Sequence, residues 1–171
     1  HAAGRYGEDL LWQANGTIGA LVGAPAEAVT LTSGATEANH HWWYGVRRLG
    51  RTQAMVDPTS HPCVLAAASR FTENGGGVTP FSLSKGGRIT PVIAEGCTLA
   101  SVTSVNHETG VVQPVEELIR VATAAGAWVH VDATQSAGRI RLNLEGAHGV
   151  VMSGHKIGGP VGVGVLSLTG G

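Results

Sequence analysis

Residues 98–132 read TLASVTSVNHETGVVQPVEELIRVATAAGAWVHVD, and the order of patterns inside them decides the fold class. TLASVTSV is an uncharged run of strand length, NHETG breaks it, PVEELIRVATAAG reads as a helix, and AWVHVD reads as a second strand. Strand, helix, strand is the unit of a parallel sheet, and the flanking sequence repeats it. Downstream, HGVVMS and VGVGVLSL are two more strands. Upstream, QAMVD is a strand and HPCVLAAASRF a helix with Pro62 in its first turn. Before these, AVTLTS is a strand, and residues 35–49 form a helix with Gly34 as its N-cap and Glu37 three residues on. At the amino end Leu10, Ala14, Ile18 and Leu21 recur at helical spacing until Gly23 and Pro25, so residues 6–22 are predicted to form an amphipathic helix. The expectation is an α/β fold: a three-layer αβα arrangement around a mostly parallel sheet, covered on both faces.

Composition narrows the function classes. The 171 residues carry 43% hydrophobic and 13% charged side chains with a net charge of −1, which favours a globular domain and disfavours disorder or electrostatic binding to nucleic acid. No apolar run reaches the roughly 18 residues of a membrane span, and HAAGRYGEDL lacks the regions of a signal peptide, so a cytoplasmic protein without membrane attachment is expected. Cys63 and Cys97 form no C-x-x-C pair and no zinc spacing, and are expected to be reduced structural thiols.

In parallel sheets ligands gather beyond the carboxyl ends of the strands, and four predicted strand ends carry polar clusters: TSGATE, NHETG, DATQS and SGHK. At TSGATE the small residues Gly34, Ala35 and Thr36 open a helix. That serves either as ordinary capping or as a seat for a phosphate on free backbone N–H groups. Neither the P-loop pattern nor a G-x-G-x-x-G after a strand is present, so a nucleotide is not indicated. Asp132 ends an apolar strand, a costly place for a carboxylate unless a cation or several donors meet it. Lys156 and Lys85 are the only lysines, against nine arginines. A guanidinium holds charge but does not condense with an aldehyde, so a primary amine in SGHK points to covalent chemistry, with a solvated surface lysine as the plain alternative. An amine, a phosphate seat and a carboxylate suited to a pyridinium nitrogen share one ligand, pyridoxal 5'-phosphate.

The segments LTSGATEANH, HPCVL, NHETGVVQPVEEL, WVHVDATQSAGRI and SGHKIGGPVGVGVL resemble, in order and spacing, the class V, fold-type I pyridoxal-phosphate enzymes, and most closely the cysteine desulfurases. HVDATQS followed about twenty residues later by SGHK is the most specific part. The resemblance implies that residues 1–171 are the large cofactor-binding domain, without an amino-terminal segment and a carboxy-terminal small domain that family members carry. It implies that Lys156 binds the cofactor aldehyde, Asp132 meets the ring nitrogen, Gln135 reaches the phenolic oxygen and His61 stacks on the ring. Ala35, Thr36, Ser153 and His155 would hold the phosphate. His107 stands where the family usually has asparagine and is expected to keep that residue's contact to the phenolic oxygen. Asn106 beside it is not assumed to take over. The implied reaction makes L-alanine and an enzyme persulfide from L-cysteine, in a homodimer that passes sulfur to an acceptor protein for iron–sulfur cluster assembly. The sulfur-accepting cysteine and the substrate-binding arginine of the family lie in the small-domain stretch, and neither Cys63 nor Cys97 matches that cysteine. Two alternatives stay open: another class V aminotransferase or lyase, and a non-catalytic dimerisation or regulatory module of the same fold. Glu37, His40 and His41 read as a helix face, so no metal is expected.

Overall fold

The computed structural model describes residues 1–169. Its elements are α1 (Ala2–Val22), β1 (Val29–Thr32), α2 (Ala35–Arg48), β2 (Gln53–Val56), α3 (Pro62–Glu73), β3 (Gly77–Pro80), β4 (Leu99–Thr103), α4 (Val115–Ala124), β5 (Trp128–Asp132), β6 (Gly149–Ser153) and β7 (Gly164–Leu168). The strands form one sheet in the order β1-β7-β6-β5-β4-β2-β3. β7 runs antiparallel to both neighbours, and every other pairing is parallel. The mostly parallel sheet expected from the strand–helix alternation is therefore present.

β4 and β6 are buried along their whole length because helices cover both faces of the sheet. Alternate residues of each strand enter different cores. Val129 and Val131 of β5 pack with Leu118 and Ala122 of α4. His130, between them, faces α2, where the ring of Trp42 stacks on it at 5.7 Å. The second core joins α2 and α3 to the sheet through Ala38, Trp42, Trp43 and Val46 of α2 and Val64, Ala67, Ala68 and Phe71 of α3. These positions recur at three- and four-residue spacing, the stripe an amphipathic helix buries. Trp43 and Phe71 meet edge to face at 5.4 Å, a geometry worth about 1 kcal/mol beyond the area it buries.

Two elements depart from the sequence reading. β3 was not expected, since GVTP holds neither an apolar run nor an alternation. It is an edge strand paired only with β2, and its closing proline is tolerated there. α1 forms as predicted but starts earlier, and its stripe is not buried: Leu10 and Leu21 are exposed, Ile18 is half-buried, and only Gly19 and Val22 reach the core.

The topology places the chemistry. β1, β2, β4, β5 and β6 point the same way, so the segments following them meet at one edge of the sheet, together with the amino end of the reversed β7.

Candidate active site

At that edge lies a cleft of about 510 Å³. All nine predicted site residues line it: Ala35, Thr36, His61, His107, Asp132, Gln135, Ser153, His155 and Lys156. A larger hollow of about 700 Å³ runs between α2 and α3 and holds none of them.

One wall of the cleft is the start of α2. Gly34 precedes the helix with no side-chain cap, and a Cβ built on it would meet no protein atom within 4 Å, so the backbone here borders open space. The first N–H groups of the helix and the positive end of its dipole stand at this point. Gly164 of β7 lies directly against Gly34, so close that a Cβ on Gly164 would collide with the Gly34 backbone. Glu37 folds back to accept the Ser33 N–H at 2.6 Å, which holds its carboxyl below the usual range.

The turn after β6 carries Lys156 and is built from backbone contact. Gly154 donates to Val163 O at 2.9 Å and Gly159 donates to Gly154 O at 2.8 Å. A side chain on either glycine would crowd the carbonyls that hold the turn, at 3.1 and 3.0 Å. Ser153 Oγ sits 2.9 Å from His155 Nδ1. Arg139 fixes the turn from the side, donating to Lys156 O at 2.8 Å and to Gln135 Oε1 at 2.9 Å. With its oxygen engaged, Gln135 offers its NH₂ to the cleft as a donor. Arg139 was not anticipated, because nothing in the spacing of DATQSAGRI marks it.

Asp132, 3% exposed at the end of β5, accepts from Thr134 N–H at 3.0 Å and from Asn39 Nδ2 at 3.1 Å. Among the described residues it has no lysine, arginine or histidine within ion-pair distance. His61 caps α3, its Nδ1 accepting the Cys63 N–H at 3.2 Å. The preceding turn is held by Asp57, which accepts from Thr59 N–H at 2.8 Å and Thr59 Oγ at 2.7 Å, and by Asn106, which donates to Thr59 O at 2.7 Å. Burial pushes the Asp57 carboxyl up. Asn106 spends its oxygen on Glu108 N–H and Thr109 N–H, at 3.0 and 2.8 Å, so it is a brace of this loop and not a cleft residue. His107 does line the cleft, its ring edge on His61 at 4.9 Å, and its Nδ1 is buried without a hydrogen-bond partner among the described residues.

Cys63 is a free thiol, as expected, but is less buried than Cys97. The structural thiol expected there is a half-buried group in the cleft, with Sγ 3.0 Å from His61 Nδ1. The His61 side chain folds back over the first turn of α3 as its N-cap, and this is what sets its ring against Cys63. Burial, and then the Asp132 charge, raise its pKa. Cys97 is buried, as expected.

These features fit pyridoxal phosphate. A buried carboxylate has no cationic partner, an uncapped helix start borders open space, the Gln135 amide and the His107 ring have capacity to spare, and Lys156 is the one lysine among the described residues that line the cleft. Among the described residues no group of three His, Cys, Asp or Glu side chains is arranged for a metal ion, and no helix is long and apolar enough to cross a membrane.

The α/β architecture is that of the pyridoxal-phosphate-dependent cysteine desulfurases. DndA from Streptomyces lividans superposes with a TM-score of 0.90 at 31% identity, over 98% of this chain and 50% of that one. SspA, solved in complex with cysteine, gives 0.90 at 27% identity, over 98% and 51%. The cysteine desulfurase IscS of Anaeromyxobacter sp. (strain Fw109-5) is 35% identical over 97% of this chain and 44% of its own length. The aminotransferase class-V profile matches residues 1–170, and the chain belongs to that family. It spans about half the length or less of the relatives it matches.

Proposed function

We propose that this chain is the cofactor-binding part of a cysteine desulfurase that uses pyridoxal phosphate and acts in a homodimer. In the reaction the Cβ–S bond of L-cysteine breaks, an S–S bond forms to an enzyme cysteine, and L-alanine leaves. The observation that carries this reading is the meeting of Lys156, Asp132 and the start of α2 in one cleft, on a fold shared with relatives named cysteine desulfurase. The cysteine held by SspA supports the same substrate here.

When bound, pyridoxal phosphate supplies an aldehyde for the substrate amine and a ring that withdraws electrons. The residues of this chain do the rest. Ala35, Thr36, Ser153 and His155 hold the phosphate, combining backbone donors at a helix start with a hydroxyl and an imidazole. Lys156 holds the aldehyde and moves a proton beside the substrate α-carbon. Asp132 keeps a proton on the ring nitrogen, the contact its buried oxygens await. Gln135 and His107 donate to the phenolic oxygen, and His61 covers the ring face. Cys63 does not match the position of the family's sulfur-accepting cysteine, and burial with the Asp132 charge raises its pKa, which disfavours the thiolate that attack on sulfur needs. The acceptor cysteine and the substrate-carboxylate arginine belong to the further length that the relatives have. The persulfide then passes to an acceptor protein for iron–sulfur cluster assembly, in the cytoplasm.

Borohydride reduction in the presence of pyridoxal phosphate, followed by peptide mapping, tests this. The label is expected on Lys156 and not on the exposed Lys85, and Lys156→Arg should abolish it. Label on Lys85 alone would refute the assignment.

A further inference from the structure

Asn39 is fully buried on α2, four residues after Ala35 and therefore one turn along the same face of the helix whose start borders the cleft. Its Nδ2 carries two hydrogens. It donates to Asp132 Oδ2 at 3.1 Å and to Cys63 Sγ at 3.5 Å. A sulfur that accepts from an amide keeps its own hydrogen for another acceptor, and His61 Nδ1 lies 3.0 Å away. That nitrogen also accepts the Cys63 backbone N–H, so it bears no hydrogen, and its one lone pair is shared between that N–H and the thiol, which is the donor. Every link then runs in one direction, from Asn39 to Asp132 on one side and from Asn39 through Cys63 to His61 on the other. A thiolate would break the chain by setting sulfur lone pairs against the nitrogen lone pair, and burial together with the Asp132 charge holds the thiol protonated.

We propose that Asn39 and Cys63 are positioning residues: a strut that ties the Asp132 carboxylate to the His61 ring and fixes that ring with its proton on Nε2. The proposal rests on the assignment of Asp132 and His61 to pyridoxal phosphate. It joins Asp132, which would meet the ring nitrogen, and His61, which would stack on the ring, in one hydrogen-bonded unit attached to the helix whose start would seat the phosphate. Nε2 is then the His61 nitrogen that carries the proton, and a change at residue 39 reaches His61 through sulfur.

Nitrogen-15 spectra of the histidine rings in the full-length protein, recorded without cofactor, decide this, together with a spectrophotometric titration with pyridoxal phosphate. Wild type should show His61 as a neutral ring protonated on Nε2. Cys63→Ala should shift the Nδ1 signal and weaken cofactor binding by about two- to fivefold, the effect of losing one weak hydrogen bond. Cys63→Ser, which keeps a donor, should restore most of both. Asn39→Leu should shift the His61 signal although residue 39 bonds Cys63 and not His61, and should shift it no further when Cys63 is already alanine. His61 signals that are the same in wild type and Cys63→Ala would overturn the strut, and Cys63→Ala alone suffices if Asn39→Leu fails to fold. A wild type that takes up no pyridoxal phosphate would instead overturn the cofactor assignment, and the cofactor-free spectra keep the two failures apart.

Discussion

Asp132 is anchored through both oxygens to neutral donors, the Thr134 N–H and the Asn39 amide, which orient a carboxylate without cancelling its charge. That charge is what an asparagine would lack. Asp132→Asn leaves one acceptor where two donors meet the carboxylate, so Asn39 must turn its unpartnered oxygen toward the new amide; with that change the variant is expected still to bind pyridoxal phosphate, about ten- to a hundredfold more weakly, since a hydrogen bond to a charged group is worth roughly 1.5–3 kcal/mol. Turnover should fall more steeply than binding, because a ring nitrogen without its proton withdraws electrons poorly. Cofactor titration and steady-state rates on the same preparation check this, and an unchanged rate would remove Asp132 from its role. At this scale the sequence was legible wherever residue type and motif coincide: all nine residues named from TSGATE, HPCVL, NHETG, DATQS and SGHK line one cleft. Asn39, Cys63 and Arg139 were not legible. Asn39 meets Asp132 across 93 positions and Arg139 meets Lys156 across 17, contacts that periodicity does not carry, while Cys63 lies beside His61 in sequence but nothing in its residue type marks a role toward it.

Among the elements, β7 has the most particular task. Its reversed direction brings its first residue, Gly164, to the edge where the parallel strands end, and there it lies flat on Gly34 at the start of α2. The contact leaves no room for a methyl group, and the strain in Gly164→Ala would come from crowding, since its backbone is an ordinary strand. Overpacking of this kind costs about 1–3 kcal/mol. Gly164→Ala should therefore lower the denaturant midpoint and also weaken pyridoxal phosphate binding, because α2 must move to relieve the contact. A variant with both properties unchanged would mean that the Gly34 seat does not depend on β7. Gly164 in VGVGV thus has a reason that the sequence alone did not supply. The buried strands were readable as apolar runs because both faces are covered. β3 was not readable, since an edge strand with one partner needs no apolar residues, and the end of α1 was readable while its start and its burial were not.

For the whole molecule, the largest built-in response to acid lies at His130, which is 0% exposed in the centre of the sheet. Its ring stacks on Trp42, its Nδ1 is 2.8 Å from Ser101 Oγ, and Nε2 has no partner among the described residues. Burial lowers its pKa from 6.5 to about 4, against the opposing pull of the Asp132 charge. A histidine whose folded pKa is depressed is neutral in the native chain while the unfolded chain takes up a proton. The stability it contributes is therefore complete above the unfolded pKa and is lost as pH falls from there toward the folded one. His148 acts in the same sense, lowered by burial and by Arg51, whereas Asp57, raised by burial, acts in the opposite sense. Between about pH 7.5 and about pH 5 the His130 contribution alone should fall by roughly 2 kcal/mol, at about 1.4 kcal/mol per pKa unit traversed. Urea unfolding at the two pH values, in wild type and in His130→Asn, measures it. The wild-type loss should exceed the variant's by about that amount, even where the variant is less stable at both. Equal losses would show that His130 is not held neutral, and that water or a proton reaches a site the Trp42 ring now closes.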